Sequence, residues 1–231
     1  MQSEVEQAIS VKASISLCEA RTAELKLEPP VPADVSPLYP YWHRAMDVSF
    51  GLISIVFLFL ILPILAFLLY LDSPGPIFYT QERVGYRGRK FTMYKFRSMR
   101  TDAEQVGHPV WTTEGDTRVT RIGRFLRATH LDELPQVFNI LSGEMSLIGP
   151  RPEREEYVAE LEQANPLYRY RLTVKPGLTG WAQVKYGYGR TVEEEQIKLH
   201  YDLYYIEHQS CALDMRILLK TILEVLLYHG K

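Results

Sequence analysis

Two adjacent carboxylates, Asp132 and Glu133, follow a series of arginines that recurs every third residue. The series consists of Arg118, Arg121, Arg124 and Arg127. Positive neighbours keep a carboxylate ionised, and the same arginines can hold the oxygens of a phosphate group. An ionised carboxylate placed there could attack phosphorus to give an acyl phosphate, while its neighbour could serve a divalent ion. The segment therefore predicts chemistry on an anionic phosphate substrate.

The same residues also fit a purely structural role. Thr129 precedes Asp132 by three residues, a spacing typical of a helix cap. Acids in the first turn of a helix are stabilised by the helix dipole. From the local pattern alone, capping and phosphate chemistry both remain open.

Two other segments carry cations that could reach a phosphate. Arg151 lies between Pro150 and Pro152, which restrict the backbone and reduce the entropy lost when the guanidinium binds a ligand. A tight turn with an incidental arginine explains the pattern equally well. Lys95 and Arg97 belong to an alternation of basic and apolar residues that is also typical of a half-buried strand.

The charge of the 231-residue chain is unevenly distributed. The formal net charge is −2, yet residues 83–127 contain eleven arginines and lysines against four acids, about +7 for that segment. A solvated surface, anionic lipid headgroups, a nucleotide diphosphate and nucleic acid are all compatible with this charge. Cys18 and Cys211 lie far apart and predict no disulfide framework.

A membrane segment is indicated upstream of the basic region. Val48–Leu71 holds no charge, and a straight helix of that length would cross a hydrocarbon core of about 30 Å. Pro63 lies inside the run and favours a kink. Basic residues flank both ends, which favours a hairpin with both flanks in the cytoplasm. A plain span and a kinked hairpin both remain open.

The remaining pattern predicts an α+β fold, mostly helical with a small β element. We expect strands at Ile77–Tyr79 and Phe91–Phe96, joined by glycine turns. We expect helices that end at Ser142 before Gly143 and that cover Pro152–Ala164, Val192–Ile206 and Ala212–Tyr228, with a short one at Val11–Leu27. The last main helix is amphipathic and fits either packing on a core or contact with a lipid surface. Residues 1–40 are acidic and proline-rich and are expected to form a mobile extension.

Five motifs, taken in order, resemble the bacterial sugar transferases, the monotopic phosphoglycosyl transferases that act on undecaprenyl phosphate. The similarity covers roughly Arg44–Lys231. The motifs are Asp72-Ser73-Pro74-Gly75-Pro76 after the apolar run, Lys95-Phe96-Arg97-Ser98-Met99, Leu131-Asp132-Glu133-Leu134-Pro135-Gln136, Met145-Ser146-Leu147-Ile148-Gly149-Pro150-Arg151-Pro152 and Lys175-Pro176-Gly177-Leu178-Thr179-Gly180-Trp181. Each motif alone is weak, whereas their order is specific.

The resemblance implies a reaction in two steps. Asp132 would attack the β-phosphorus of a UDP-sugar, release UMP and carry the sugar phosphate until polyprenyl phosphate accepts it. Glu133 would be the partner acid that helps to place Mg²⁺ (or Mn²⁺) or handles a proton, so that both acids are candidate metal ligands. The expected phosphate-binding residues are Lys95, Arg97, Arg127, Pro150, Arg151 and Pro152.

The resemblance also implies an arrangement at the membrane. Residues 41–72 would form a re-entrant hairpin broken at Pro63, and residues 73–231 a catalytic domain on the cytoplasmic face of the bacterial inner membrane, with an interfacial C-terminal helix. Leu62 stands where many members carry serine. Membrane lipids are expected partners, a homo-oligomer is compatible, and nucleic acid is not expected. The alternative is a non-catalytic membrane-anchored protein that binds acidic lipids or a partner.

Overall fold

The computed structural model describes residues 29–31, 33–103, 116–186 and 192–227. The helix expected at Val11–Leu27 and most of the extension expected at residues 1–40 lie outside these ranges, so both stay predictions. The division of the chain into extension, membrane segment and catalytic domain also stays a prediction.

The first helix, α1, runs from Tyr39 to Asp72 and has 34 residues. Helical backbone continues through Pro63, so the hairpin expected for residues 41–72 is not confirmed. Among the described residues, α1 is the one helix long and apolar enough to cross a membrane. One narrow face is buried, at Tyr39, Asp47, Gly51, Ser54, Leu58, Leu65 and Leu69. Thirteen of the other side chains of α1 are large, apolar and exposed.

Both ends of α1 are hydrogen-bonded to the rest of the chain. Near its start, the Arg44 guanidinium donates to the carbonyls of Ile140 and Leu141, each at 2.8 Å. At its end, a carboxylate oxygen of Asp72 accepts a hydrogen bond from the Ile122 amide at 2.8 Å. The two ends of α1 therefore contact segments that lie close together in sequence.

An antiparallel hairpin follows, formed by β1 (Phe78–Val84) and β2 (Lys90–Phe96). A short 3-10 turn at Tyr86–Gly88 joins the strands. The first strand is longer than the expected Ile77–Tyr79, because its exposed polar residues alternate with partly buried ones and mask the apolar signal. The second strand matches the expectation closely.

The segment after the hairpin contains α2 (Arg121–Ala128), a 3-10 helix (Leu131–Gln136) and α3 (Val137–Ser142). Gly143 ends α3 in the left-handed region, with φ of 84°, as expected. A parallel pair of three-residue strands comes next, β3 (Ser146–Ile148) and β4 (Gly177–Thr179). The sequence did not predict this pair.

The remaining elements are helical. They are α4 (Glu155–Ala164), a 3-10 helix (Pro166–Thr173), α5 (Trp181–Tyr186), α6 (Val192–Glu207) and α7 (Cys211–Leu227). The helix expected from Pro152 begins only at Glu155, because Arg154 has extended backbone. The fold is mostly helical with small sheets, as predicted.

Within the described ranges, four buried apolar clusters hold these elements together. One joins α1 to β2, α2 and α3 through Leu58, Leu65, Phe96, Leu126 and Val137. A second packs β3 against α5, α6 and α7. In α7, Leu213 and Ile217 are buried in this cluster, while Met215, Leu219, Ile222, Leu223 and Val225 are exposed. The C-terminal helix thus packs on the core and also presents an exposed apolar face.

Candidate active site

The acidic pair lies in the 3-10 helix Leu131–Gln136, directly after a sharp turn. The Thr129 hydroxyl donates to the carbonyls of Phe125 and Leu126 in the preceding helix, at 2.9 and 3.2 Å. His130 adopts the left-handed conformation with φ of 55° and begins the 3-10 helix without a side-chain cap. The helix-cap interpretation of Thr129 is therefore wrong, because its hydroxyl serves the helix before the acids.

Glu133 is the acid that binds the cations. Its carboxylate accepts from Lys95 Nζ at 3.0 Å and from Arg151 Nη1 at 3.3 Å, and Arg151 Nη2 also donates to it. Only 8% of Glu133 is exposed. Three sequence-predicted residues from three separate motifs thus form one buried ion-pair cluster.

The two neighbouring acids have opposite pKa shifts. Burial, followed by the charge of Glu133, raises the pKa of Asp132 to about 6, although Lys95, Arg127 and Arg151 act against this rise. Burial also raises the pKa of Glu133, but the charges and hydrogen bonds of Arg151 and Lys95 outweigh it and hold this pKa well below its usual range. At neutral pH both acids are mostly ionised, and Asp132 is much the more basic.

The four arginines of the series have different surroundings. Arg127 donates from Nε to the Ser98 hydroxyl at 2.9 Å, and its charge lowers the pKa of Asp132. Arg118 pairs with Asp116 at 2.6 Å instead. Arg121 and Arg124 are exposed on α2. We expected several of these arginines to lie close to the acids, but mainly Arg127 does.

Arg97 is directed to a different place. Its Nη2 donates to the Ser73 carbonyl, just after the end of α1. Burial lowers the pKa of Arg97, and the charge of Asp72 only partly opposes this shift. Only 6% of Arg97 is exposed. Its hydrogen bond joins the residue after β2 to the end of α1, whereas the hydrogen bond of Lys95 joins β2 to Glu133. A direct role for Arg97 in binding phosphate stays a prediction.

The turn that carries Arg151 is held by hydrogen bonds to its backbone. The carbonyl of Pro150 accepts from the Gly177 amide at 2.9 Å. The carbonyl of Pro152 accepts from Arg83 at 3.2 Å. The carbonyl of Arg151 itself accepts from Arg171 at 2.9 Å. No local sequence pattern pointed to Arg171, because the residues that it contacts are distant in the chain, and Arg83 was visible only as one member of the basic segment.

The carboxylates can be compared with the requirements of a magnesium ion. Among the described residues, no group of three or more histidine, cysteine, aspartate or glutamate side chains could hold a metal. Both oxygens of Glu133 already accept from cations. Mg²⁺ commonly binds through one or two carboxylates together with substrate phosphates and waters. The site fits such an ion through Asp132, with the substrate supplying further oxygens, and fits Glu133 less well as a ligand.

Comparison with known proteins assigns the chain to a family. Residues 38–228 match the profile of a family described as bacterial sugar transferase. The chain is 44% identical to UDP-N-acetylgalactosamine-undecaprenyl-phosphate N-acetylgalactosaminephosphotransferase of Aeromonas hydrophila, over 84% of this chain and 46% of that protein. It is 47% identical to UDP-glucose:undecaprenyl-phosphate glucose-1-phosphate transferase of Xanthomonas campestris pv. campestris, over 68% of this chain and 33% of that protein.

A shorter relative is matched over nearly its whole length. The exopolysaccharide production protein PSS of Rhizobium leguminosarum bv. phaseoli is 39% identical over 79% of this chain and 94% of that protein. By contrast, the chain spans less than half the length of the Aeromonas and Xanthomonas relatives. With the family profile extending over most of the described fold, the chain belongs to the bacterial sugar transferase family.

Proposed function

We propose that this protein transfers a sugar 1-phosphate from a UDP-sugar to undecaprenyl phosphate through an aspartyl-phosphosugar intermediate. The observation that carries the proposal is the buried Asp132 next to the Glu133, Lys95 and Arg151 cluster. An ionised carboxylate of raised pKa is a better nucleophile than an ordinary one, and the cations beside it can accept a diphosphate. The names of the relatives support the overall transfer of a sugar phosphate and the same lipid acceptor.

In the first step, a carboxylate oxygen of Asp132 attacks the β-phosphorus of the UDP-sugar. The bond between that phosphorus and the oxygen bridging to the α-phosphate breaks, and UMP leaves with the electron pair. An acyl phosphate now joins Asp132 to the sugar phosphate. No proton has to be removed from the nucleophile, because the carboxylate is already ionised above its pKa of about 6.

In the second step, a phosphate oxygen of undecaprenyl phosphate attacks the same phosphorus. The bond to the Asp132 oxygen breaks, which regenerates the carboxylate and yields undecaprenyl diphosphate sugar. Lys95, Arg127 and Arg151 reduce the repulsion between the two anions that meet here, since all three place positive charge close enough to act on Asp132. The reaction would begin the assembly of an exopolysaccharide or glycan.

In this scheme Glu133 positions the two cations beside Asp132. It holds Lys95 and Arg151 on one side of Asp132, and its low pKa keeps it ionised, so it is poorly suited to carry a proton. A bound Mg²⁺ would neutralise charge on the diphosphate. We assign Asp132 as the protein's contact with such an ion.

The anchoring of α1 supports a location on one side of a membrane. Arg44 at its start and Asp72 at its end both bond to the region 122–141. A helix spanning the bilayer would carry these ends to opposite faces of the membrane, and the segment that both ends contact would then have to cross the hydrocarbon core beside it. We infer that α1 enters the cytoplasmic leaflet of the inner membrane with both ends on the cytoplasmic side, and that the catalytic residues face the cytoplasm.

Release of UMP tests the proposed function. Purified protein in detergent or nanodiscs is incubated with Mg²⁺, undecaprenyl phosphate and a panel of UDP-sugars, and UMP and lipid product are measured. We expect both products with at least one sugar nucleotide. Absence of UMP with every donor, while the protein still binds acidic vesicles, would favour the non-catalytic alternative.

The covalent intermediate has its own test. Donor labelled in the sugar phosphate, given without the lipid acceptor, should leave label on the denatured protein, and Asp132→Asn should carry none. Addition of undecaprenyl phosphate should transfer the label to lipid. Lipid product formed at the normal rate by Asp132→Asn would remove Asp132 as the nucleophile.

A further inference from the structure

A buried ion pair lies behind the turn that carries Arg151. Arg171, in the 3-10 helix Pro166–Thr173, donates from Nε to a carboxylate oxygen of Asp202 on α6 at 2.7 Å. The side chains are 5% and 2% exposed. Neither residue contacts Asp132 or Glu133 in the bonds described above, so the reaction as proposed leaves this pair without a task.

The Arg171 guanidinium connects the pair to the turn. While Nε binds Asp202, Nη2 donates to the carbonyl of Arg151 at 2.9 Å. Nη1 donates to the Tyr168 hydroxyl, and the guanidinium carbon lies 4.6 Å from the centre of the Tyr168 ring. A planar fork with fixed donors has little freedom when all three nitrogens are bonded. Arg171 therefore fixes the position of the Arg151 backbone relative to α6.

Pro152, the next residue of the turn, is bonded to strand β1. Arg83 on β1 donates to the Pro152 carbonyl at 3.2 Å and to the Glu153 carboxylate at 3.1 Å. The prolines on both sides of Arg151 also restrict its backbone. With the backbone fixed in this way, mainly the side-chain torsions of Arg151 determine where its guanidinium lies, and that guanidinium reaches Glu133.

Stability alone is a weak explanation for such a pair. Taking two charges out of water is costly, and replacing both partners by apolar residues of similar volume is often neutral or stabilising. The polar geometry around Arg171 instead matches a requirement of the site, because a displacement of about 1 Å in a group that binds the reacting phosphate can reduce the rate by about 100-fold.

We propose that Arg171, anchored by Asp202, is a positioning residue that sets the Arg151 guanidinium for binding the substrate diphosphate. This inference rests on the proposed function. It adds two residues outside the five sequence motifs to the machinery of the reaction, and it assigns them an action through the backbone of Arg151 rather than through contact with the substrate.

The test replaces both charges at once, so that neither is left buried and unpaired. In Arg171→Met/Asp202→Leu, we expect the KM for the UDP-sugar to rise and kcat/KM to fall by about 10- to 100-fold. A merely structural role would reduce the fraction of active protein, which lowers the apparent kcat and leaves KM unchanged. A thermal melt monitored by circular dichroism shows whether the variant is folded.

A double-mutant cycle identifies the route of the effect. If Arg171 acts through Arg151, the Arg171→Met/Asp202→Leu change should have almost no further effect on kcat/KM in an Arg151→Ala background. Full additivity of the two effects would overturn the proposal. An unchanged KM in a folded Arg171→Met/Asp202→Leu protein would overturn it as well.

A second buried pair on α6 provides a matched control. Lys198 donates to Glu195 at 2.6 Å, and both side chains are less than 5% exposed. This pair acts electrostatically on Asp202 and Arg171 but makes its hydrogen bond within α6 and not to the Arg151 carbonyl. In Lys198→Met/Glu195→Leu we therefore expect the wild-type KM, and the comparison separates loss of the hydrogen bond to Arg151 from a change in the surrounding charge. Failure of the proposed function would appear differently, as absence of UMP release from the wild-type protein.

Discussion

Two neighbouring acids of similar burial differ in what surrounds them. Glu133 accepts hydrogen bonds from Lys95 and Arg151, while no hydrogen bond to the Asp132 carboxylate is seen among the residues that the structure describes. Burial therefore dominates at Asp132 and raises its pKa, and the cations dominate at Glu133 and lower its pKa. Environments that separate the pKa values of paired groups often mark a division of chemical labour.

The first prediction concerns the pH dependence of the first step. In the proposed reaction Asp132 attacks only when ionised, and with a pKa of about 6 it loses this form as the pH falls from 7 to 5. We expect the rate of covalent labelling to fall by about tenfold between pH 7 and pH 5. Labelling is measured in single turnover without lipid acceptor, because undecaprenyl phosphate itself takes up a proton in this range. A rate that stays constant down to pH 5 would contradict the assignment.

The second prediction is that Asp132→Asn stabilises the protein above pH 6. A pKa raised from 3.8 to about 6 means that ionising Asp132 costs the folded state free energy. The difference corresponds to about 3 kcal/mol, present at pH 8 and absent below the unfolded value of 3.8. Urea unfolding at pH 8 and at pH 4 measures it. Equal stabilisation at both pH values would show that ionisation is not the cause.

The matched prediction at the neighbouring residue has the opposite sign. The pKa of Glu133 is lowered, so its ionised form contributes stability that is present above the unfolded value of 4.5 and is lost as the pH falls through the folded value. Glu133→Gln leaves Lys95 and Arg151, whose side chains are only 17% and 16% exposed, without this counter-charge, which we expect to cost about 3 kcal/mol at pH 8. Urea unfolding alongside Asp132→Asn measures this loss. A stabilised Glu133→Gln protein would refute the division between the acids.

Some site residues could be found from sequence and others could not. Asp132, Glu133, Lys95 and Arg151 lie in short segments whose residue types are unusual together, and the structure joins the last three directly. Arg171 and Asp202 are 31 residues apart and pair only through the packing of a 3-10 helix against α6. No local pattern reports such a pairing. Thr129 is the opposite case. Its spacing from Asp132 matches a helix-cap pattern, but its hydroxyl donates to a carbonyl of the preceding helix instead.

At the scale of elements, the shortest strands could not be predicted from the sequence. The apolar run located α1, and helical spacing located α3, α6 and α7, because a repeated period gives a signal over several turns. Strands β3 and β4 have only three residues each and pair across about thirty intervening positions. Their pairing nevertheless places the turn with Arg151, since the Gly177 amide bonds to the Pro150 carbonyl at 2.9 Å.

The fourth prediction concerns this close strand contact. A Cβ added at Gly177 would lie 2.1 Å from the Gly149 amide nitrogen, and backbone atoms cannot rotate away as a side chain can. We expect Gly177→Ala to separate the strands, to cost more than about 2 kcal/mol of stability and to raise the KM for the UDP-sugar. Urea unfolding and steady-state kinetics measure the two effects.

The control for this variant is Gly88→Ala at the tip of the β1–β2 hairpin. A Cβ there meets nothing within 4 Å, although φ is +74°. Only backbone strain remains, of about 1–2 kcal/mol, and KM should be unchanged. If Gly177→Ala behaved like Gly88→Ala in both measurements, the close approach of the two strands would not determine the position of Arg151.

At the scale of the whole molecule, positive charge and exposed apolar surface are each concentrated in particular segments. The net charge is only −2, while residues 83–127 are strongly basic and contribute Lys95 and Arg127 to the site. Exposed apolar residues are concentrated on α1 and on one face of α7. A molecule that combines exposed apolar surface with a cluster of cations suits the proposed acceptor, which has a lipid tail and an anionic phosphate.

The last prediction is that both ends of α1 lie on the same side of the membrane. Single cysteines are introduced at Tyr41, which is 77% exposed near the start of α1, and at Glu82, whose side chain is 64% exposed beyond its end. Cys18 and Cys211 are first replaced by serine. We expect a membrane-impermeant thiol reagent to label both positions in inverted membrane vesicles and neither in intact spheroplasts.

A third cysteine separates insertion from surface attachment. Leu60 is 70% exposed near the middle of α1 and lies between the polar anchors at Arg44 and Asp72. If the middle of α1 enters the leaflet, Leu60→Cys should resist the aqueous reagent in both preparations, because lipid excludes it. Labelling of Tyr41→Cys from the spheroplast side alone would establish a spanning helix. Such a helix could not keep the Arg44 and Asp72 hydrogen bonds to one region of the chain on a single side of the membrane, so these bonds and that labelling result are mutually exclusive.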